Sequence, residues 1–119
     1  MPTGAQEGVM LTIPSNARIF IYNQPVSMRK SFEGLSAAVE HLFPNELFSG
    51  AYFVFLSRQQ DRMKVLYWDG DGLVIWYKRL EQGTFSRNKD GKLSISRREF
   101  LMLLEGIIPK RLQLRYMRI

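Results

Sequence analysis

Cysteine is absent from these 119 residues, and histidine occurs once, at His41. Without cysteine the chain has no disulfide, no thiol nucleophile and no cysteine-bound zinc. One histidine excludes a metal site built from several histidines and gives little basis for a Ser-His-Asp catalytic arrangement. Glycine-rich phosphate loops and dinucleotide fingerprints are also missing. We therefore expect no catalytic residue, no metal and no cofactor.

Long apolar runs are missing as well. No segment approaches the roughly 20 apolar residues that a membrane-spanning helix needs. The first ten residues lack the basic start and apolar stretch of a secretory signal. The chain is nevertheless 45% hydrophobic and 13% aromatic, which is enough to bury a core. We expect one cytoplasmic domain without a membrane partner.

Positive charge is concentrated in the second half of the chain. The net charge is +6, yet the first 60 residues carry four cations and four anions. From Asp61 onward thirteen cations face seven anions. A basic surface on one part of a small domain is typical of nucleic-acid binding, although acidic protein partners fit it too.

The spacing of apolar residues predicts a helix followed by a three-stranded antiparallel meander. Helical spacing covers Ser31–Phe43, which Pro44 ends, and both Ser27 and Ser31 are candidates to cap its start. Strand-like runs separated by short polar joints indicate the meander. The three meander strands are predicted at Ala51–Leu56, Arg62–Trp68 and Leu73–Leu80. A further short strand, before the helix, is predicted at Arg18–Tyr22.

A second helix is predicted near the end of the domain. Ser96 and Glu99 have the spacing of a capping box, which predicts a helix over Arg97–Glu105. Between the two helical regions, Thr84–Ser86 and Lys92–Ile95 are predicted to form a short hairpin. The fold class is therefore α+β, a small antiparallel β-meander packed with two short helices.

The same pattern divides the chain into three parts. Residues 1–10 lack periodicity and are expected to be a disordered extension, and residues 11–108 form a single domain. Residues 109–119 form a basic C-terminal tail with interleaved apolar side chains. Its pattern leaves strand, helix and flexible arm open.

The stretch DGDG between the last two meander strands carries two carboxylates, Asp69 and Asp71. Aspartate and glycine both tolerate the positive φ angles of a tight hairpin turn. A calcium loop would need further oxygen ligands, which Leu73, Val74 and Ile75 do not supply. A turn is the interpretation that the spacing favours. A nuclease using this pair with Glu81 or Glu105 is the weaker alternative.

A two-residue turn at Gly70-Asp71 fixes which side chains meet at the other end of the hairpin. Strand alternation then places Arg62, Lys64, Tyr77 and Arg79 together on one face. Burying so many cations together would be costly, so we expect this end to be solvated or to hold an anion. Cations for phosphates and an aromatic ring for stacking are features of nucleic-acid surfaces.

Other cations extend the candidate set. Arg29 and Lys30 stand at the predicted start of the first helix, where backbone N–H groups favour an anion. Lys78 in the last meander strand and Arg97 and Arg98 in the second helix complete the predicted nucleic-acid contacts. Trp76, in contrast, is flanked by apolar residues on its own face and is expected in the core.

Three ordered motifs resemble a known family. They are MRKSFEGL, LFSGAYFVFLSRQQDRMKVLYWDGDGLVIWYKRLEQGTF and LLEGI. Together they look like TnpB, the accessory protein of insertion sequence sixty-six transposons, over Leu11 to about Ile108. The family usually has Thr-Asp before Met-Arg-Lys, where this chain has Val26 and Ser27, and Ser27 can serve as a cap in the same way.

The resemblance implies a bacterial transposition accessory protein that is not itself an enzyme, since a separate transposase in such elements carries the Asp-Asp-Glu chemistry. Two roles stay open at this point. One is a DNA-binding factor acting through the basic sheet surface. The other is an adaptor that docks the transposase through its aromatic strands and basic tail.

Overall fold

The computed structural model describes residues 11–85 and 93–105. Five strands and two helices follow one another in the chain, and they confirm the predicted small α+β fold. The elements are β1 (Ile19–Ile21), α1 (Phe32–Leu42), β2 (Tyr52–Leu56), β3 (Arg62–Trp68), β4 (Leu73–Arg79), β5 (Ser94–Ile95) and α2 (Arg97–Glu105). The extension and the tail predicted at the two ends lie outside the described residues, so those assignments stay predictions.

The strands form one mixed sheet in the order β4-β3-β2-β1-β5. As predicted, β2, β3 and β4 are an antiparallel meander. β1 lies parallel to β2, and α1 is part of the crossover that a parallel pair requires. β4 and β5 are the two edges of the sheet.

In the described residues, the structure shows other partners for the two segments of the short hairpin predicted around residues 88–91. Ser94 and Ile95, from the second of these segments, pair with Phe20 and Ile19 of β1. Phe85 instead donates its backbone N–H to the carbonyl of Gln60 at 2.7 Å. β1 needed a partner on its open side, and Ser94–Ile95 supplies it. The turn residues of the predicted hairpin lie outside the described residues.

Each face of the sheet carries its own apolar cluster. On the first face, Leu35 and Val39 of α1 belong to a buried cluster with Phe53, Phe55 and Leu66 of the sheet. This follows from the period-two alternation of the strands and the helical spacing of α1. We call it the α1 face.

The opposite face is covered by α2. Phe100, Leu103 and Leu104 of this helix belong to a cluster that includes Val65 and Trp76. The burial of Trp76 confirms its predicted place in the core. Apolar clusters on both sides hold the meander firmly, so the hairpin ends have fixed positions.

The predicted capping box at the start of α2 is present. Glu99 donates its backbone N–H to the Ser96 hydroxyl at 3.0 Å, and the Glu99 carboxylate accepts the Ser96 N–H at 2.8 Å. The start of α1 is different. Ser31 is its N-cap residue and makes no side-chain cap bond, whereas the Ser27 hydroxyl accepts the Arg29 N–H at 3.2 Å. Ser27 thus shapes the turn that precedes the helix.

Candidate nucleic-acid interface

Asp69 and Asp71 belong to the hairpin turn, as the spacing predicts. The Asp69 N–H donates to the Gly72 carbonyl at 3.0 Å, and the Asp71 N–H lies 3.4 Å from the Asp69 carboxylate. Gly70 between them has a φ of 112°, which glycine adopts without strain. Among residues 11–85 and 93–105, no three acidic or histidine side chains are grouped to hold a metal ion.

The far end of the same hairpin has the predicted register. Arg62 lies opposite Arg79, and Lys64 lies opposite Tyr77. All four share the α1 face, because Leu66 two residues further along β3 belongs to its cluster. Tyr77 is 49% exposed. The cationic residues therefore lie at the end of the hairpin that is opposite the acidic turn.

Lys64 differs from the expectation that all four side chains are solvated. It is only 8% exposed. Its ammonium donates to the Met28 carbonyl at 2.9 Å and to the Lys30 carbonyl at 2.7 Å, and it lies 5.0 Å from the Tyr77 ring centroid. Burial lowers the pKa of this ammonium. These partners make burial of a cation tolerable, which sequence reasoning did not foresee.

The bonds of Lys64 fix the segment that leads into α1. Because the carbonyls of Met28 and Lys30 are held at β3, the exposed Arg29 between them stays close to the basic end of the hairpin. The exposed Lys30 belongs to the same segment. The structure thus brings together two predicted groups of cations that lie more than thirty residues apart in the chain.

A cleft of about 260 Å³ opens beside this junction. Its lining comes from the segment before α1 and from the turn between β2 and β3. The lining residues are Pro25, Val26, Ser27, Met28, Ser57, Arg58, Gln59 and Arg62. Two are arginines and none is acidic. The sequence does not single out Arg58, because it stands in the polar joint between two predicted strands, a pattern typical of a turn.

Few of the cations in the described part of the chain have carboxylate partners. Arg18 pairs with Glu46 at 2.7 Å, and Arg79 lies 3.3 Å from Glu81. Both pairs are exposed enough to be weak. No ion pair involves Arg29, Lys30, Arg58 or Arg62 within residues 11–85 and 93–105. The basic junction therefore keeps most of its positive charge for another molecule.

Three predicted contacts lie elsewhere. Lys78 is opposite Met63 and so faces the α2 side of the sheet. Arg97 and Arg98 stand in the first turn of α2, where the Arg97 Nε donates to the Ile13 carbonyl at 2.9 Å. The predicted set is thus divided between two faces, and on the α1 face one of its members, Arg62, lines the cleft.

Comparison with known families accounts for most of the chain. The family described as IS66 Orf2 like protein matches residues 17–114. The chain belongs to this family. Membership confirms the resemblance drawn from the sequence motifs, and it makes the chain a transposition-associated accessory protein of a family that is generally not catalytic.

Two curated relatives come from Sinorhizobium fredii. The uncharacterized protein y4jC is 38% identical over 92 residues, which cover 76% of this chain and 79% of the relative. The uncharacterized protein y4hO is 32% identical over 100 residues, covering 82% and 87% respectively. No solved structure matches the chain. In the described parts, neither helix is long and apolar enough to cross a membrane.

Proposed function

We propose that this protein is a non-catalytic DNA-binding factor in transposition, acting through the basic end of the α1 face. The observation that carries the proposal is the pair of Lys64 hydrogen bonds to the backbone of the segment that bears Arg29 and Lys30. These bonds hold that segment beside the end of the hairpin where Arg62 lies opposite Arg79. Cations of this kind contact backbone phosphates, and an exposed ring such as Tyr77 can stack on a base.

Within this proposal the predicted residues have different roles. Arg29, Lys30, Arg62 and Arg79 contact phosphates, and Tyr77 adds an aromatic surface. Lys64 positions the segment before α1, since both its hydrogen bonds go to backbone carbonyls. Lys78 faces the other side of the sheet, and Arg97 and Arg98 belong to α2, which covers that side. These three residues make secondary contacts at most.

The test is a salt titration of duplex DNA binding by fluorescence anisotropy. The slope of log K against log salt concentration is negative, and each lost phosphate contact makes it less steep by about 0.9. Replacing Arg62 and Arg79 together by glutamine should therefore flatten the slope by roughly 2. Arg18→Gln removes a charge just before β1, near the end of the sheet that is opposite the basic end of the hairpin. It should leave the slope unchanged.

Unchanged affinity and slope in the folded double variant would contradict the proposed surface. Circular dichroism before the titration establishes that the variant is folded. A loss in Arg18→Gln half as large as the loss in the double variant would show that only overall charge matters, because Arg18→Gln removes one charge and the double variant removes two.

A second candidate function, an adaptor for the transposase, is favoured by a different observation. Phe48 is 61% exposed and packs edge-on against Trp68 at 5.2 Å, beside the acidic turn. Exposed aromatic side chains are enriched where proteins bind each other. Co-purification with the element's transposase after nuclease treatment tests this role. Loss of the complex in Phe48→Ser, with DNA binding intact, would support it.

A further inference from the structure

The cleft between Ser27 and Arg62 has a composition suited to one kind of ligand. Its lining residues include two arginines and no acidic residue, although the carboxylate of Asp61 accepts a hydrogen bond from the lining Ser57. Arg58 has no ion-pair partner in the described part of the chain. Two like charges lining one small cleft repel each other, and an anion between them would relieve that repulsion. The ligand expected from these charges is an anion.

The size of the cleft narrows the class of anion. At about 260 Å³ it is smaller than the roughly 300–1,000 Å³ of pockets that enclose drug-sized ligands. The cleft is therefore large enough for a phosphate group and small for a drug-sized ligand. Pro25, Ser27, Arg58 and Gln59 are exposed, so a longer chain could continue past the cleft on both sides.

Both walls of the cleft are held by hydrogen bonds. In the β2–β3 turn, the Ser57 hydroxyl accepts the Arg62 N–H at 3.1 Å and donates to the Asp61 carboxylate at 3.2 Å. On the other wall, the Val26 N–H donates to the Leu56 carbonyl at 3.0 Å, and Lys64 holds the Met28 carbonyl. A site with fixed walls loses less entropy when it binds.

The hydroxyl of Ser27 offers a neutral donor at the same place. Its oxygen accepts the Arg29 N–H at 3.2 Å, which leaves its hydrogen available. Ser57 cannot serve in the same way, because its hydroxyl already donates to Asp61. The cleft therefore presents Arg58, Arg62 and Ser27 as donors.

We propose that this cleft seats a single phosphodiester of the nucleic-acid backbone between the guanidinium groups of Arg58 and Arg62. This rests on the proposed function and adds a residue, Arg58, to the interface. Because Arg62 lies opposite Arg79, one of the two neighbouring phosphates is then expected toward the basic end of the hairpin.

The experiment compares Arg58→Gln, Arg58→Lys and the control Arg18→Gln in anisotropy titrations with a fluorescein-labelled DNA duplex at several salt concentrations. Arg58→Gln should bind roughly tenfold more weakly and flatten the salt slope by about 0.9. Arg58→Lys keeps the charge but not the bidentate geometry, so it should keep the slope and recover only part of the affinity. Arg18→Gln should match the wild type.

The outcomes separate the two proposals. If the wild type binds and the Arg62 and Arg79 double variant weakens binding, while Arg58→Gln equals Arg18→Gln, the cleft proposal alone is overturned. If the wild-type protein does not bind duplex or single-stranded DNA, the proposed function is overturned and the cleft proposal with it. Full recovery of affinity in Arg58→Lys would overturn the guanidinium seat and leave only a point charge.

Discussion

Replacement of Lys64 by methionine tests the finding that this cation is structural. Methionine keeps an unbranched chain of similar length and removes the ammonium. The change leaves the carbonyls of Met28 and Lys30 without the donor that holds them at 2.9 and 2.7 Å. Both carbonyls belong to the segment that leads into α1, so their release should loosen the start of that helix.

The expected cost comes from two opposing contributions. Each hydrogen bond to a charged group contributes about 1.5–3 kcal/mol net, and two are lost. Removal of a buried ammonium recovers part of that sum, because its dehydration no longer opposes folding. The same burial lowers the pKa of Lys64. We expect a net loss of about 2 kcal/mol in the free energy of unfolding, or a Tm lower by roughly 6–12 °C for a chain of this size.

Urea unfolding followed by circular dichroism measures this loss directly. Lys78→Met is the matched control, because Lys78 lies on the adjacent strand and faces the other side of the sheet. The ammonium of Lys78 has no hydrogen-bond acceptor within residues 11–85 and 93–105. Its cost should stay within about 0.5 kcal/mol. A Lys64→Met protein as stable as the wild type, or equal losses in both variants, would refute the structural role.

Two further predictions concern the turn and the ion pair at the opposite end of the sheet. Gly70→Ala forces alanine to a φ of 112° and should cost roughly 1–3 kcal/mol, whereas Gly72→Ala meets open space and no positive φ and should cost little in the same urea assay. Equal costs would contradict the turn geometry. The Arg18 guanidinium holds the pKa of Glu46 below its usual 4.5, so the stability gained from this pair exists above pH 4.5 and is lost as the pH falls through the folded pKa. The free energy of unfolding of Glu46→Gln should therefore fall less steeply with decreasing pH than that of the wild type. Identical dependence on pH in the two proteins would show that the Arg18–Glu46 pair does not contribute to stability.

The features that sequence reasoning predicted well depend on local rules. A two-residue turn at Gly70-Asp71 fixes the register of its hairpin, so the opposition of Arg62 and Arg79 follows from counting. The capping box at Ser96 is equally local, because its two bonds lie within four residues. Resemblance to the family supplied the biological process, which neither rule could give.

The features that it missed depend on contacts between distant segments. Lys64 is buried because residues 28 and 30 pass over it, and no pattern within β3 indicates that. Arg58 and Ser27 line one cleft for the same reason. The parallel pairing of β1 with β2 also depends on where α1 returns the chain. The distant contacts that create the candidate site are thus the part that periodicity could not reveal.

The two proposed roles need not compete for the same surface. Arg62 and Arg79 stand at one end of the β3–β4 hairpin, and Trp68 with its partner Phe48 stands at the other. Arg62 and Trp68 are six residue steps apart along β3, which places the two ends roughly 20 Å apart at about 3.3 Å per step. That distance allows DNA at the basic end and a protein at the aromatic end at the same time. A variant at Arg62 should then lose DNA binding alone, and a variant at Phe48 should lose transposase binding alone. A single variant that abolishes both interactions would show that one surface serves both partners.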